Sequence, residues 1–425
     1  MDKDIQKKII LNPFVQVLFL VFFASVIFSL RAVTSMSLGV MLLSGFLIKR
    51  SAGSSLLQKK NKNLFLAGCA LLFLLQFIAL FYTNDRQAGW NNIRIKTGLL
   101  VTPFASFLFS SITITSTKKL LSHYCLILVG ASLCCLCISF LNFQETNNTS
   151  IFFYHALVSS INQHAVYLSV LTAIGLVFLL ERIMKKEFII NRLTHTSLVI
   201  YLSGFLFLLS SKLVIAFYII YLVYYFVHLL QKNKLRRLAI AGSFILCFII
   251  LGLLFTTRNP VKERFSDVFR GNIKLITQEN FTEGDYFNGL QFRLLQWRFV
   301  TEILTENKRW WQGVSPGDAQ TLLTKKYLSK NMYAGDPAKG DRGYLIYNTH
   351  NQFLETLLQN GIIGLIVLLL ICFSLFKMMI QEKNRIASVS ILLLLAWLFT
   401  ESVFETQYGI VIFTFFPLFL SADKN

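Results

Sequence analysis

His350 stands where a polar run, Asn348–Gln352, meets a long apolar stretch. Thr349-x-x-Gln352 reads as a capping box, with Thr349 as N-cap and His350 in the first turn of a helix. A neutral imidazole at such a mouth can take a proton from a hydroxyl. At 100° per residue, Gly361 and Gly364 fall on the helical stripe beneath it, where a neighbouring helix can come close. The competing reading is an interfacial histidine above an ordinary packing seam. Lys212, Arg293, His155, His164, Glu401 and Glu405 are among the other ionisable groups at span ends or in the loop on the same side. Ionisable groups so placed are functional candidates. Glu401 and Glu405 can orient His350 or pair with Lys212 or Arg293; as carboxylates at a helix end they can equally be interfacial. Arg293 reads otherwise as a solvated helix charge, and Lys212 as a snorkelling one.

The elements that must hold these residues are membrane helices. The chain has 425 residues, 55% hydrophobic and only 15% charged, with 41 Phe. Soluble domains carry roughly 25% charged residues, so a soluble enzyme is excluded. Apolar runs predict about twelve spans: 13–30, 32–48, 64–83, 98–115, 120–141, 164–181, 195–210, 213–230, 238–256, 350–376, 386–402 and 409–421. The class is an all-α, polytopic membrane protein. With the N-terminus inside, inner segments hold 22 Lys and Arg and the short outer loops five, which sets both termini in the cytoplasm. The net charge of +20 is thus a topology signal rather than a nucleic-acid footprint. The whole of 1–425 reads as one membrane domain, and 257–349 as a periplasmic loop or helical cap. A helix is expected over 289–307, with Leu290, Leu294, Val300 and Leu304 near one face and Arg293 one turn before Trp297, followed by a turn at Gly313–Gly317. The seven Cys lie in apolar runs and read as small hydrophobes, not metal ligands.

The stretch Asn348-Thr349-His350-Asn351-Gln352 through Gly361-Ile362-Ile363-Gly364 resembles the signature of the O-antigen ligase family. So do the long loop just before it, Arg293 with Trp297 a turn later, and Gly313-x-x-Pro316-Gly317. Asn162–Tyr167, with His164, is similar to a family segment at the start of the sixth span. Lys212 occupies the hairpin position where the family often has Arg.

The resemblance implies a GT-C-type glycosyltransferase of the bacterial inner membrane with a periplasmic active site. It would move a glycan from a polyprenyl-diphosphate carrier to a hydroxyl of lipid A–core or another glycan acceptor, with inversion and without metal or other cofactor. His350 would be the base; Arg293 and Lys212 would hold the leaving diphosphate; Asn351, Trp297, His164, Glu401 and Glu405 would line the substrates. An O-antigen or exopolysaccharide polymerase of the same topology is the alternative. A flippase for lipid-linked sugars fits less well, because the charges cluster on one side.

Overall fold

A computed structural model describes residues 13–51, 60–109, 114–232, 252, 260–267, 273–282, 284–336, 338, 341–381 and 384–421. Among them there is helix and irregular chain but no strand. The main helices are α1 (Pro13–Ile27), α2 (Arg31–Ser51), α3 (Lys60–Ala79), α4 (Arg86–Lys96), α5 (Gly98–Leu108), α6 (Ile114–Thr146) and α7 (Ala165–Met184). They continue with α8 (Arg192–Leu208), α9 (Lys212–Lys232), α10 (Gly289–Glu306), α11 (Ala319–Ser329), α12 (Gln352–Gln381), α13 (Arg385–Trp397) and α14 (Gln407–Leu420).

Six of these, α2, α3, α6, α7, α9 and α12, are long and apolar enough to cross a membrane. Four shorter apolar helices, α1, α8, α13 and α14, have 13 to 17 residues. That is roughly 20–25 Å at about 1.5 Å per residue, less than a bilayer core. Three expected spans are corrected in length. The fourth is helical over Gly98–Leu108, the third ends at Ala79, and the eleventh ends at Trp397, so Glu401 lies beyond it. The expected ninth span, 238–256, falls outside the described residues apart from Gly252.

Helix α7 is the hub. Every residue from Ala165 to Glu181 is buried, as a helix apolar on all sides must be. Helices α6, α8, α9 and α13 surround it. Beside it Phe19, Phe22 and Phe23 of α1 interlock with Phe415, Phe416 and Phe419 of α14 in tilted, edge-on and stacked pairs. Helix α12 runs antiparallel along α3. Asn61 donates to Gln381 at one end (2.6 Å) and Gln76 to Asn360 at the other. The Gln381 end also holds Lys62 on the Ser421 carbonyl (2.7 Å) and Asn384 on that of Leu420 (2.9 Å). The opposite end gathers 83–97, 310–318, 348–361 and 398–406, all from segments that the basic residues assign to one face.

The 289–307 helix forms, capped by a full box between Asn288 and Gln291. Its buried face differs from the expected one. Phe292, Leu295, Phe299, Val300, Ile303 and Leu304 are inside, while Leu290 and Leu294 are exposed. Helix α12 is not straight either. Gly361 sits at φ 62°, ψ −161° and breaks it. The turn after α10 plugs the break. The N–H groups of Ile362 and Ile363 donate to the carbonyls of Trp310 and Trp311 (2.8 and 3.2 Å). The carbonyls of Leu358 and Gln359 accept from Val314 and Ser315 (2.8 and 3.1 Å). Irregular backbone at membrane depth persists only when re-paired in this way. Gly361 therefore receives a loop rather than a neighbouring span, and a Cβ there would strike the Trp311 carbonyl. The glycine stripe expected beneath His350 does not exist as such, since the kink turns Gly364 toward Asn360 and Thr356 of its own helix.

Gly361→Ala should lower the apparent melting temperature, because it combines a positive φ with a backbone clash costing about 1–3 kcal/mol or more. Gly39→Ala and Gly204→Ala, with nothing within 4 Å of the added carbon, should leave it unchanged. Thermal unfolding of the purified protein in detergent checks both.

Candidate active site

Helix α13 stops at Trp397 and leaves three successive carbonyls, Leu398, Phe399 and Thr400, pointing past its end. Each finds a donor from elsewhere in the chain. The backbone N–H of Gln352 donates to Leu398 (2.8 Å), Asn351 Nδ2 to Phe399 (3.2 Å) and Arg293 Nη2 to Thr400 (3.0 Å). Asn351 also accepts from the Leu354 N–H (3.1 Å), so Asn351 caps α12. This corrects the expected capping box. Thr349 instead donates its hydroxyl to Glu355 Oε2 (2.8 Å), and Gln352 Oε1 accepts from the Phe404 N–H (2.6 Å).

His350 thus precedes the cap rather than lying in the first turn. Its φ is +44°, in the left-handed region that non-glycine residues seldom enter. Two contacts hold it there. Its N–H donates to Asn348 Oδ1 (3.1 Å), and its carbonyl accepts from Arg293 Nε (3.4 Å). The side chain is 29% exposed, and its Nδ1 lies 3.6 Å from Glu401 Oε2. That is long for a hydrogen bond and short for an electrostatic contact. Among the described residues nothing partners Nε2.

Two further groups close on this pair. His164 occupies the N-cap position of α7, with its ring 4.5 Å from that of His155 and 4.7 Å from that of Tyr167. Its buried Nδ1 has no partner among the described residues. Burial lowers the His164 pKa; Glu401 opposes that and His350 adds to it. Burial also lowers the Arg293 pKa, against the pull of Glu401. For Glu401 itself burial is the largest influence and pushes the carboxyl up. Its close contact with His350, and the charges of His350, His164 and Arg293, outweigh burial and hold it below the ordinary carboxylate value. His350, Glu401, His164 and Arg293 therefore form one electrostatic group.

The other expected residues are placed differently. Arg293 commits three N–H groups to carbonyls, the third being Gly289 (2.8 Å), and keeps two of its five for anything else. Lys212 pairs with Asp267 (3.6 Å), whose carbonyl accepts from Asn288, the N-cap of α10. Lys212 is therefore tied to the helix that carries Arg293, not directly to His350. Trp297 lies one turn beyond Arg293 with its ring 47% exposed. Glu405 turns away from His350 to Lys96 (2.8 Å).

Lys96 is one of the five basic residues of the short outer loops, yet its side chain is 1% exposed. It also donates to Gln359 Oε1 (2.5 Å), and Gln359 donates to Glu355 Oε1 (2.7 Å). The available signal was Glu355 and Gln359, two polar groups on one face of an otherwise apolar helix.

Residues 197–369 match the family model described as O-Antigen ligase. That stretch, less than half of the chain, is similar to the O-antigen ligase family. The matched stretch contains Lys212, Arg293, Trp297, His350, Asn351 and Gly361, whereas Lys96, His164, Glu401 and Glu405 lie outside it. No curated protein matches the chain. The match supports ligase- or polymerase-type function in general, on lipid-linked glycans at a membrane.

The Glu401 carboxyl titrates below its ordinary value of 4.5. The stability it contributes is complete above that pH and is lost as pH falls through the lower folded value. The difference in melting temperature between wild type and Glu401→Gln should shrink as pH falls below about 4.5. A difference that grows below that pH would contradict the assignment.

Proposed function

We propose that this protein is an O-antigen ligase-type glycosyltransferase of the GT-C kind in the bacterial inner membrane. It passes a glycan from a polyprenyl diphosphate to a hydroxyl of lipid A–core or another glycan on the periplasmic face. The observation that carries the reading is the His350–Glu401 pair, 3.6 Å apart and partly open, beside Arg293 and within the end that gathers the outer segments.

In this reading the acceptor hydroxyl gives its proton to His350 Nε2 as its oxygen attacks the anomeric carbon. The bond from that carbon to the diphosphate oxygen breaks, and its electrons leave with the diphosphate. Attack opposite the leaving group inverts the carbon. Glu401 holds the imidazole from Nδ1 and stabilises the imidazolium that forms, as the carboxylate of a catalytic triad does. The diphosphate leaves as a stable anion, so it needs cations more than a proton. The two uncommitted N–H groups of Arg293 serve it, with Lys212 contributing from beyond Asp267. Trp297 and His164 border the substrates. Asn351 acts through the cap rather than by touching sugar. The transfer requires no metal, so EDTA leaves it intact.

His350→Ala should lower transfer about 10²–10⁴-fold, the usual cost of losing a general base. Expression and membrane insertion should be normal. A variant that transfers at the wild-type rate would reduce His350 to an interfacial residue. Arg293→Ala should lose stability as well as activity, since it orphans the His350 and Thr400 carbonyls.

A deletion strain separates the two readings of the acceptor. Core without polymer, with long chains held on the lipid carrier, marks a ligase; single repeat units still joined to core mark a polymerase.

Sidedness has its own test, in a cysteine-free background. An impermeant thiol reagent on intact spheroplasts should label Ser329→Cys in the cap and spare Lys186→Cys after α7, both exposed positions. The reverse pattern would invert the topology.

A further inference from the structure

The buried cluster around Lys96 goes beyond the transfer site and deepens it. Lys96 is the last residue of α4, and its ammonium, 1% exposed, reaches two branches of side chains. The first runs through Gln359 to Glu355. Glu355 Oε2 accepts from both the N–H (3.2 Å) and the hydroxyl (2.8 Å) of Thr349, the residue before His350. The second is Glu405, 2.8 Å away, at the end of the 3-10 turn Val403–Glu405. That turn follows Glu401 directly, and the Glu405 N–H closes it on the Ser402 carbonyl (3.1 Å). One cation thereby fastens the backbone beside both members of the His350–Glu401 pair.

The charges make Lys96 hard to replace. The cluster sets a buried carboxyl group, Glu355, and a partly buried one, Glu405 (15% exposed), around a single ammonium. Without it both lose their counter-charge, which favours rearrangement of the chain that carries them. Substrate has no path to a group this enclosed, and Lys96 makes no contact with His350 or Glu401 themselves.

We infer that Lys96 is a positioning residue for the transfer reaction: through Glu405 and through Gln359–Glu355–Thr349 it sets the separation and aim of the His350–Glu401 pair. The inference rests on the reading of His350 as the base.

The test is steady-state transfer by purified enzyme with a polyprenyl-diphosphate glycan donor and the acceptor hydroxyl glycan. Lys96→Gln should lower kcat roughly 10- to 100-fold, the loss expected when reacting groups shift by about 1 Å. KM for donor and acceptor should change less than about twofold, because no substrate contact is removed. In a Glu401→Gln background the same change should cost less than about threefold, since the pair it positions is already broken. The Lys96→Gln/Glu405→Gln double variant, which removes one charge of each sign, supplies the answer if Lys96→Gln alone does not fold. It should fold and still show the fall in kcat.

Wild-type kcat in folded Lys96→Gln, or in the double variant, overturns the inference. So does a fall of equal size in the Glu401→Gln background, which would make Lys96 merely structural. If His350→Ala proves active, the base assignment fails instead, whatever Lys96 does.

Discussion

Three carbonyls at the end of α13 and a broken ladder in α12 set the constraint on which this end of the molecule depends. Backbone polar groups away from water must be paired, and an orphan costs about 1–3 kcal/mol. Here the donors come from Gln352, Asn351 and Arg293 for the first, and from the 310–315 turn for the second. The long segment between α9 and α12 is thus no ornament on a helix bundle. Its α10 caps α13 through Arg293, and its turn completes α12.

The same requirement explains why the functional candidates double as structural groups. Arg293 fixes the carbonyl of His350 and still offers two N–H groups. Asn351 is a cap before it is anything else. His350 is held at a positive φ that the surrounding hydrogen bonds maintain, and such strain gathers at working sites. Its imidazole remains partly open, and the Trp297 side chain is about half exposed.

Charge is arranged in two tiers. The outer tier, His350, Glu401, His164 and Arg293, opens at the His350 imidazole and holds the Glu401 carboxyl below its ordinary value. The inner tier, Lys96, Glu405, Gln359 and Glu355, centres on the buried Lys96 and joins the turns beneath the first. Rigid backing of this kind lets a pair of groups be preorganised rather than assembled at each turnover.

By itself the sequence determined what local physics decides. Runs of apolar residues specify the helices, as α3, α7, α9 and α12 show, and Asn288 with Gln291 dictates where α10 begins. The sequence also put His350, Glu401, His164 and Arg293 at one end, because alternating spans sort their loops onto two faces. Tertiary structure decided what depends on partners distant in the chain. The capping box at Thr349 lost to Asn351 because the Phe399 carbonyl, 48 residues away, completes the amide of Asn351. Gly361 became a break because the Trp310 and Trp311 carbonyls replaced the helical acceptors. Lys96 looked like any loop cation until Glu405, 309 positions on, came within 2.8 Å. Periodicity carries no record of such pairings, for a helical repeat reports which face is apolar and not which side chain will meet it.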